Sequence, residues 1–188
     1  MPDPSGAVAG IVLAAGLGRR MGRPKAEIVV DGARLIDHAI TALRAAGCEP
    51  VIAVVQAGVG CEATTVVNPD PARGQRSSLE AGLGAVADPD TAVAVILVDM
   101  PGMTGTAIAR VVDRWRPGRI ALGIAAGRRT HPTVMSATMW REALELASPD
   151  EGARRYVAGH RELVDEIPVE IDPTDLDVPA DLARWSRS

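Results

Sequence analysis

Short runs of aliphatic residues recur along this chain, and segments with helical spacing lie between them. Val8 to Leu13, Val51 to Val55 and Ala92 to Leu97 are apolar almost throughout. Strands of this kind are typical of parallel sheets that are buried on both faces. Leu35 to Ala46 carries apolar residues at helical spacing, and Gly47 follows as its predicted C-cap. The alternation predicts an α/β fold with a mostly parallel sheet and flanking helices.

The second half of the chain continues this alternation. Ser77 is predicted as the N-cap of a helix that extends to about Ala87, and Gly127 as a turn between two strands. Another helix is predicted to begin at Ser148-Pro149-Asp150-Glu151, where serine, proline and acids stand in the order that favours a helix start. The other predicted elements are strands at Thr64 to Val67, Ile120 to Ala125, Thr130 to Met135 and Val164 to Ile171, and helices at Thr104 to Trp115, Met139 to Leu146 and Pro179 to Trp185.

The length and composition limit how the core is built. A chain of 188 residues predicts one domain, which we place at residues 7–188 after a polar tail, residues 1–6, that we expect to be disordered. Apolar residues make up 47% of the chain, but phenylalanine is absent and there is a single tyrosine. The core must therefore consist of Ala, Val, Leu and Ile, side chains that suit layers of sheet and helix.

Charge and composition also exclude several classes of function. The net charge is −4 and aromatic residues make up 2% of the chain, so we expect no nucleic-acid-binding surface. The apolar stretch Ala7 to Ala15 is too short to cross a bilayer and follows an acidic rather than a basic segment. Cys48 and Cys61 lack the spacing of metal ligands and indicate a reducing compartment. We expect a cytoplasmic protein that does not bind membranes.

The first strand leads into a loop of glycines and arginines that contains the chain's single lysine, Lys25. All other permanently basic side chains are arginines, so this position favours a compact point charge over a guanidinium group. With Arg20 and three glycines nearby, the natural ligand of that charge is a phosphate. The alternative interpretation is a glycine-rich turn with solvated arginines.

Neither of two common phosphate-binding motifs fits this loop. The P-loop requires Gly-Lys-Ser or Gly-Lys-Thr, but Gly22 is followed by Arg23-Pro24-Lys25. In the dinucleotide fingerprint Gly-x-Gly-x-x-Gly, the third glycine would stand at Met21. Pro24 also disfavours the immediate helix that both motifs need. The sequence predicts a longer, open loop whose amides face an anion.

The segment Leu13 to Lys25, LAAGLGRRMGRPK, resembles the signature loop of nucleotidyltransferases with a Rossmann-like, glycosyltransferase-A-type sheet. Within them it is most similar to the molybdenum cofactor cytidylyl- and guanylyltransferases. Only Gly18 departs from that pattern, which more often has a hydroxyl residue there. The resemblance continues in order through Asn68-Pro69, the segment GQRSSL at residues 74–79, Asp99-Met100-Pro101, His131-Pro132, residues 150–154 and residues 175–179.

This resemblance implies nucleotidyl transfer, a reaction that proteins catalyse by positioning and charge neutralisation. It implies that Lys25, Arg20 and Asp99 are catalytic and that Asp99 and Asp177 hold Mg²⁺. For both aspartates, capping of a turn is the alternative role. The residues it implies for nucleotide binding are Leu13, Ala14, Ala15, Gly16, Gly18, Arg20, Gly22, Lys25, Asn68 and Ser78.

Within the family, Ala14-Ala15 before Gly16 resembles the cytidylyl branch, so the expected nucleotide is CTP. The expected acceptor is a phosphorylated pterin-type molecule, the molybdenum cofactor, which His131 and Arg154 would contact; a turn histidine and a solvated helix arginine are equally acceptable interpretations. A molybdoenzyme is a possible recipient of the product. The alternatives are GTP, another small phosphorylated acceptor, or a non-catalytic accessory protein that delivers a nucleotide or cofactor.

Overall fold

The structure, a computed structural model, describes residues 7–149 and 151–185. The expected disordered tail, residues 1–6, and Asp150 of the predicted helix start lie outside the described residues. The strands are β1 Ala9–Leu13, β2 Val29–Val30, β3 Ala33–Arg34, β4 Val51–Val55, β5 Thr64–Val67, β6 Ala92–Leu97, β7 Ile120–Ala125, β8 Arg128–Ser136 and β9 Val164–Pro168. The α-helices are α1 Leu35–Ala45, α2 Gln75–Leu83, α3 Gly105–Val112, α4 Ala137–Leu146, α5 Arg154–Gly159 and α6 Leu182–Trp185.

Seven strands form one sheet in the order β5-β4-β1-β6-β8-β7-β9, and β2 and β3 form a separate two-stranded sheet. In the large sheet only β8 runs antiparallel to its neighbours, β6 and β7. The other pairs are parallel, including β7 with β9. The predicted mostly parallel sheet is confirmed, and so is the hairpin between β7 and β8, which turns at Ala126 and Gly127 with positive φ angles.

The core lies in two layers, one on each face of this sheet. Helices α1 and α3 cover one face and pack against side chains such as Val12 and Ile96. Helices α2, α4 and α5 cover the opposite face and contact Ile11, Leu13 and Val95. Neighbouring residues of one strand thus enter different layers, which is why the central strands are apolar at every position.

Two of the predicted helix starts are wrong. Helix α2 begins at Gln75, and Ser77 lies inside its first turn, where its hydroxyl donates to Gly74 O at 2.8 Å instead of capping the helix. Helix α5 begins at Arg154, six residues after the predicted N-cap Ser148. At the predicted start, the Glu151 carboxylate accepts a hydrogen bond from the Ser148 backbone N–H. This hydrogen bond closes a turn and does not begin a helix.

The topology brings the carboxyl ends of β1 and β6 side by side, because these strands are parallel neighbours with Leu13 opposite Leu97. The glycine loop follows β1, and Asp99 follows β6 two residues after the strand ends. Both therefore lie at the sheet edge where open α/β sheets bind ligands. Within residues 7–149 and 151–185, no helix is long and apolar enough to cross a membrane.

Candidate active site

A cavity of about 810 Å³ lies at this edge of the sheet. Its size falls within the range of small-molecule sites. The glycine loop, the start of α2 and the segment after β6 enclose it. Its lining includes the predicted residues Leu13, Ala15, Gly16, Gly18, Arg20, Lys25, Ser78, Asp99 and Asp177.

The glycine loop is held open by its backbone. A single 3₁₀ turn, Arg19–Met21, lies between Gly18 and Gly22, which both have left-handed backbone angles. After Pro24 a second 3₁₀ turn, Lys25–Glu27, follows, and α1 begins only at Leu35. The prediction that no helix follows the loop directly is confirmed.

Gly18 has a structural reason to depart from the hydroxyl residue of related loops. Its φ is +56°, and a Cβ atom at this position would lie 2.0 Å from the Arg23 carbonyl oxygen. Any side chain would therefore force the loop apart. Gly18 departs from the usual hydroxyl pattern, but the backbone geometry makes glycine a requirement of this particular turn.

The Lys25 ammonium lies between two carboxylates. Its Nζ donates to Asp99 Oδ2 at 2.7 Å and to Asp177 Oδ1 at 2.5 Å. The Lys25 side chain is only 15% exposed. Burial opposes its charge, but the Asp99 carboxylate and the hydrogen bonds from both aspartates outweigh burial and raise the pKa of Lys25. Lys25 is therefore a fixed positive charge on the cavity wall.

A backbone contact brings Asp177 to this place from a distant part of the sequence. The N–H of the buried Leu176 donates to the carbonyl oxygen of Asp99 at 2.7 Å. The Asp181 carboxylate in turn accepts the backbone N–H groups of Asp177 and Val178 at 2.8 and 2.9 Å. Both carboxylates that contact Lys25 thus belong to segments that are fixed relative to each other.

The site has the features that a divalent cation needs. Asp99 Oδ1 is buried and has no hydrogen-bond partner within the described chain, so one carboxylate oxygen is free. Asp175 lies near, and desolvation together with the charges of Asp99 and Asp177 raises its pKa. No group of three or more metal-ligating side chains forms a ready-made cage among the described residues. Mg²⁺ needs only one or two carboxylates, with phosphates and waters completing its octahedron, so Asp99 and Asp177 fit it.

The other predicted nucleotide residues divide into two groups. Ala15 and Ser78 line the cavity, whereas Ala14, Gly22 and Asn68 lie outside its lining. Asn68 is 3% exposed, and its Nδ2 donates to the Ser77 and Ser78 hydroxyl oxygens at 2.9 and 3.0 Å. Its position beneath the cavity wall does not favour a direct contact with a ligand.

Comparison with known proteins identifies the family of this chain. Residues 10–165 match a family described as "MobA-like NTP transferase domain". The chain belongs to this family. It is also 34% identical over 187 residues to a nicotine blue oxidoreductase of Paenarthrobacter nicotinovorans, with 91% of each chain covered. A molybdenum cofactor guanylyltransferase of Rhizobium johnstonii is 34% identical over 131 residues, which cover 66% of this chain and 60% of that relative.

Solved structures confirm the fold of this NTP transferase. Rv0371c from Mycobacterium tuberculosis H37Rv superimposes with a TM-score of 0.83 over 98% of this chain and 100% of that chain, at 24% identity. A structure of the same protein in complex with manganese superimposes with a TM-score of 0.75. The Rossmann-like, mostly parallel sheet expected from the resemblance is therefore confirmed.

A second cavity of the transferase adjoins the first. It has a volume of about 340 Å³ and shares Leu13, Gln75 and Leu97 with the main cavity. The two predicted acceptor residues, His131 and Arg154, both line it. Trp140, Leu79, Leu122 and Val157 contribute an apolar surface to the same lining.

His131 is held in one orientation in this second cavity. Its Nδ1 lies 3.0 Å from the Val95 carbonyl oxygen, and a carbonyl can only accept, so Nδ1 carries the proton. Burial lowers the pKa of His131, although the Val95 hydrogen bond and the charge of Asp99 oppose that shift. The neutral ring is left with Nε2 as an acceptor. His131 is therefore better suited to a hydrogen-bond donor than to a phosphate.

Several residues at or beside the site were not predicted from the sequence. Gln56 Nε2 donates to the Gly16 carbonyl oxygen at 2.7 Å and links the end of β4 to the glycine loop. Gln75 lies where the two cavities meet, and Pro71 and Ala72 line the main one. Gln75 stands in the segment that resembles the family, which was a usable signal. No local pattern marks Gln56, because its partner lies 40 residues away.

Proposed function

We propose that this protein transfers CMP from CTP to the molybdopterin-type molybdenum cofactor and releases pyrophosphate. The observation that carries the proposal is the fixed Lys25 ammonium, 2.7 Å from Asp99 and 2.5 Å from Asp177, on the wall of a cavity at the ligand edge of the sheet. A cation beside carboxylates suits a bound polyphosphate and a metal ion together.

The distribution of charge in the main cavity supports one orientation of the nucleotide. Its lining contains two cations, Lys25 and the exposed Arg20, together with the neutral residues Ala15, Ala72 and Ser78. In this orientation the triphosphate would contact the cations, and the base and ribose would contact the neutral lining residues. Charged hydrogen bonds contribute about 1.5–3 kcal/mol each, enough for two cations to fix the direction of the ligand.

Asp99 and Asp177 would hold Mg²⁺ or Mn²⁺ beside the phosphates, with Asp175 close to both. A bound metal ion would neutralise phosphate charge and hold the phosphates in line for displacement. The manganese complex of Rv0371c, which shares this fold over nearly the whole chain, supports the use of a divalent cation by this protein. Carboxylates also outnumber the ammonium here, so the site favours an added cation.

In the reaction, a phosphate oxygen of the acceptor attacks the α-phosphorus of CTP. A new P–O bond forms, the bond between the α-phosphorus and the bridging oxygen breaks, and pyrophosphate leaves with the released electron pair. Lys25 and Arg20 would offset the charge that moves onto pyrophosphate. The Lys25 ammonium has three N–H donors, and two of them contact the aspartates, so the third is left for a phosphate oxygen.

The second cavity supports a bulky acceptor beside the nucleotide. Its apolar floor includes Trp140, and Arg154 and His131 provide polar contacts on its lining. An arginine suits the terminal phosphate of the acceptor. The shared lining residues Leu13, Gln75 and Leu97 would bring that phosphate next to the α-phosphorus.

Four alternatives to this function can be named. The Rhizobium relative is a guanylyltransferase, which favours GTP, whereas Ala14-Ala15 favours CTP. A different phosphorylated acceptor or a non-catalytic accessory role would keep nucleotide binding without this transfer. The name of the Paenarthrobacter relative points to an oxidoreductase, but the first loop lacks the third glycine of the dinucleotide fingerprint, with Met21 at that place.

The test is binding of CTP, GTP, ATP and UTP with Mg²⁺, followed by pyrophosphate release in the presence of purified molybdenum cofactor. We expect CTP to bind most tightly and to release pyrophosphate only with the cofactor. Preference for GTP would support the guanylyl alternative. Equal, weak binding of all four with no release would support an accessory role.

A further inference from the structure

Among the described residues, three buried polar side chains form a single cluster. They are Asn68, Ser77 and Ser78, which are 3%, 7% and 6% exposed. Buried polar groups are costly unless their hydrogen bonds are satisfied, so each donor and acceptor here has to be accounted for.

The orientation of the Asn68 amide is fixed by the backbone. The Asp70 N–H donates to Asn68 Oδ1 at 3.0 Å, and a backbone N–H cannot accept a hydrogen bond. Oδ1 is therefore the acceptor and Nδ2 the donor. The two hydrogens of Nδ2 go to the Ser77 Oγ at 2.9 Å and the Ser78 Oγ at 3.0 Å. Both serine oxygens thus act as acceptors towards Asn68.

The two serine protons differ in where they go. Ser77 donates its hydroxyl proton to the Gly74 carbonyl oxygen at 2.8 Å, within the protein. The Ser78 proton has no acceptor among the residues that the structure describes, and Ser78 lines the main cavity, whereas Ser77 does not. Because Asn68 occupies a lone pair of the Ser78 oxygen and no described residue accepts the Ser78 proton, that proton is available to a ligand in the main cavity.

We infer that Asn68 is a positioning residue that fixes the Ser78 hydroxyl as a hydrogen-bond donor to an acceptor atom of the nucleotide base. This role rests on the proposed function, since it requires a nucleoside triphosphate whose base lies against Ser78 in the main cavity. Asn68 itself does not contact the ligand. Pyrimidine rings present the O2 oxygen, and cytosine also the unprotonated N3, as acceptors for such a donor.

The experiment compares CTP with ribose 5′-triphosphate, which lacks a base, by calorimetric titration with Mg²⁺. The ratio of the two dissociation constants measures how much the base contributes. Replacing Asn68→Asp keeps the shape but makes this position an acceptor, so that Ser78 turns its proton inward. We expect the base contribution to fall about tenfold in Asn68→Asp and in Ser78→Ala, because each variant loses one hydrogen bond to the base.

Ser77→Ala is the matched control, because it also removes one partner of Asn68 but leaves Ser78 unchanged. We expect it to keep the base contribution of the unmodified protein. Binding of ribose 5′-triphosphate should stay unchanged in all three variants, which separates loss of the donor from disturbance of the phosphate end. In the Ser78→Ala background, Asn68→Asp should have no further effect on the base contribution.

If Asn68→Asp does not fold, Asn68→Ala provides the same comparison, with a reduced base contribution expected. An Asn68→Asp or Asn68→Ala protein that binds CTP and ribose 5′-triphosphate with the original ratio would overturn the positioning role. So would a further loss of the base contribution in the Ser78→Ala background. Failure of the unmodified protein to bind either triphosphate would instead overturn the proposed function.

Discussion

At the scale of single residues, the Lys25 ammonium contacts both of the carboxylates that would hold a divalent cation. Replacing Lys25→Ala removes a positive charge within 3 Å of Asp99 and Asp177. We therefore expect Mn²⁺ to bind the nucleotide-free variant at least about tenfold more tightly, since like charge no longer opposes it. The concentration of free Mn²⁺, followed by electron paramagnetic resonance, measures this change.

The matched control for this metal titration is Arg23→Ala. It removes a neighbouring cation whose side chain is exposed and absent from the lining of the main cavity. We expect this variant to bind Mn²⁺ as the unmodified protein does. Unchanged or weaker Mn²⁺ binding by Lys25→Ala would contradict the placement of a metal between Asp99 and Asp177.

A second residue-scale prediction concerns Gly18. Gly18→Ser introduces the residue type that related loops use, yet its Cβ would meet the Arg23 carbonyl oxygen at 2.0 Å. We expect the loop to move and CTP to bind at least about tenfold more weakly, because a misplaced loop loses phosphate contacts. Gly60→Ser is the control, since no atom lies within 4 Å of a Cβ there and its φ is not positive. Tighter CTP binding by Gly18→Ser would show that the hydroxyl group matters more than the turn.

At the scale of elements, Ser136 caps α4, the helix that carries the buried Trp140. Its Oγ accepts a hydrogen bond from the Met139 N–H at 3.2 Å. Ser136→Ala should lower the free energy of unfolding by about 1 kcal/mol, while Ser136→Asp should keep most of it. Urea denaturation measures both variants. Equal losses in the two would mean that the capping hydrogen bond contributes little.

An ion pair links the start of β7 to β9 and predicts how stability responds to acid. Arg119 donates to both Asp165 oxygens, at 3.0 and 2.5 Å, and this hydrogen bonding lowers the pKa of Asp165. The lowered pKa means that the pair contributes stability above the unfolded-state pKa of about 4 and loses it as the pH falls through the folded-state value. In Asp165→Asn, we expect the melting temperature to fall less steeply below about pH 4. If the melting temperature of Asp165→Asn fell below this pH as steeply as that of the unmodified protein, the contribution of this ion pair would be contradicted.

The helices and strands show which local sequence patterns predicted the secondary structure correctly. Apolar runs predicted β1, β4 and β6 because both faces of each strand are buried, and Gly47 and Gly127 predicted turns that have positive φ. Polar capping patterns were less reliable. Ser77 resembles an N-cap, but its hydroxyl belongs to the Asn68 cluster, and the acids near Ser148 close a turn. At Ser77 a hydrogen bond with Asn68, nine residues away, overrides the local preference, whereas at Ser148 one local turn replaces another.

At the scale of the whole molecule, the two cysteines report whether the sheet is intact. Cys48 is 1% exposed, and burial raises the pKa of its thiol to about 11. Cys61 is free and partly exposed. We expect a thiol reagent at pH 8 to modify Cys61 in the folded protein and Cys48 only during unfolding. In Cys61→Ala, Cys48 is the remaining thiol, so its modification can be followed alone. Rapid modification of Cys48 in the folded state would contradict the packing of α1 against the sheet.

The assembly of the site was only partly predictable from the sequence. Lys25 and Asp99 follow neighbouring strands, so the strand order predicts that they meet. Asp177 lies 152 residues from Lys25, and its approach depends on the Leu176–Asp99 backbone contact, for which no local pattern exists. The resemblance to the family identified it instead. The positions of Gln56 and Asn68 depend on such long-range contacts as well.

The most direct test of the active-site assignment is the rate of pyrophosphate release from CTP by the Lys25→Ala protein, with Mg²⁺ and molybdenum cofactor present. Loss of one preorganised charge at the reacting phosphates predicts a rate at least about a hundredfold lower than that of the unmodified protein, with the fold intact by circular dichroism. A Lys25→Ala protein that released pyrophosphate at the unmodified rate would contradict the account of this site.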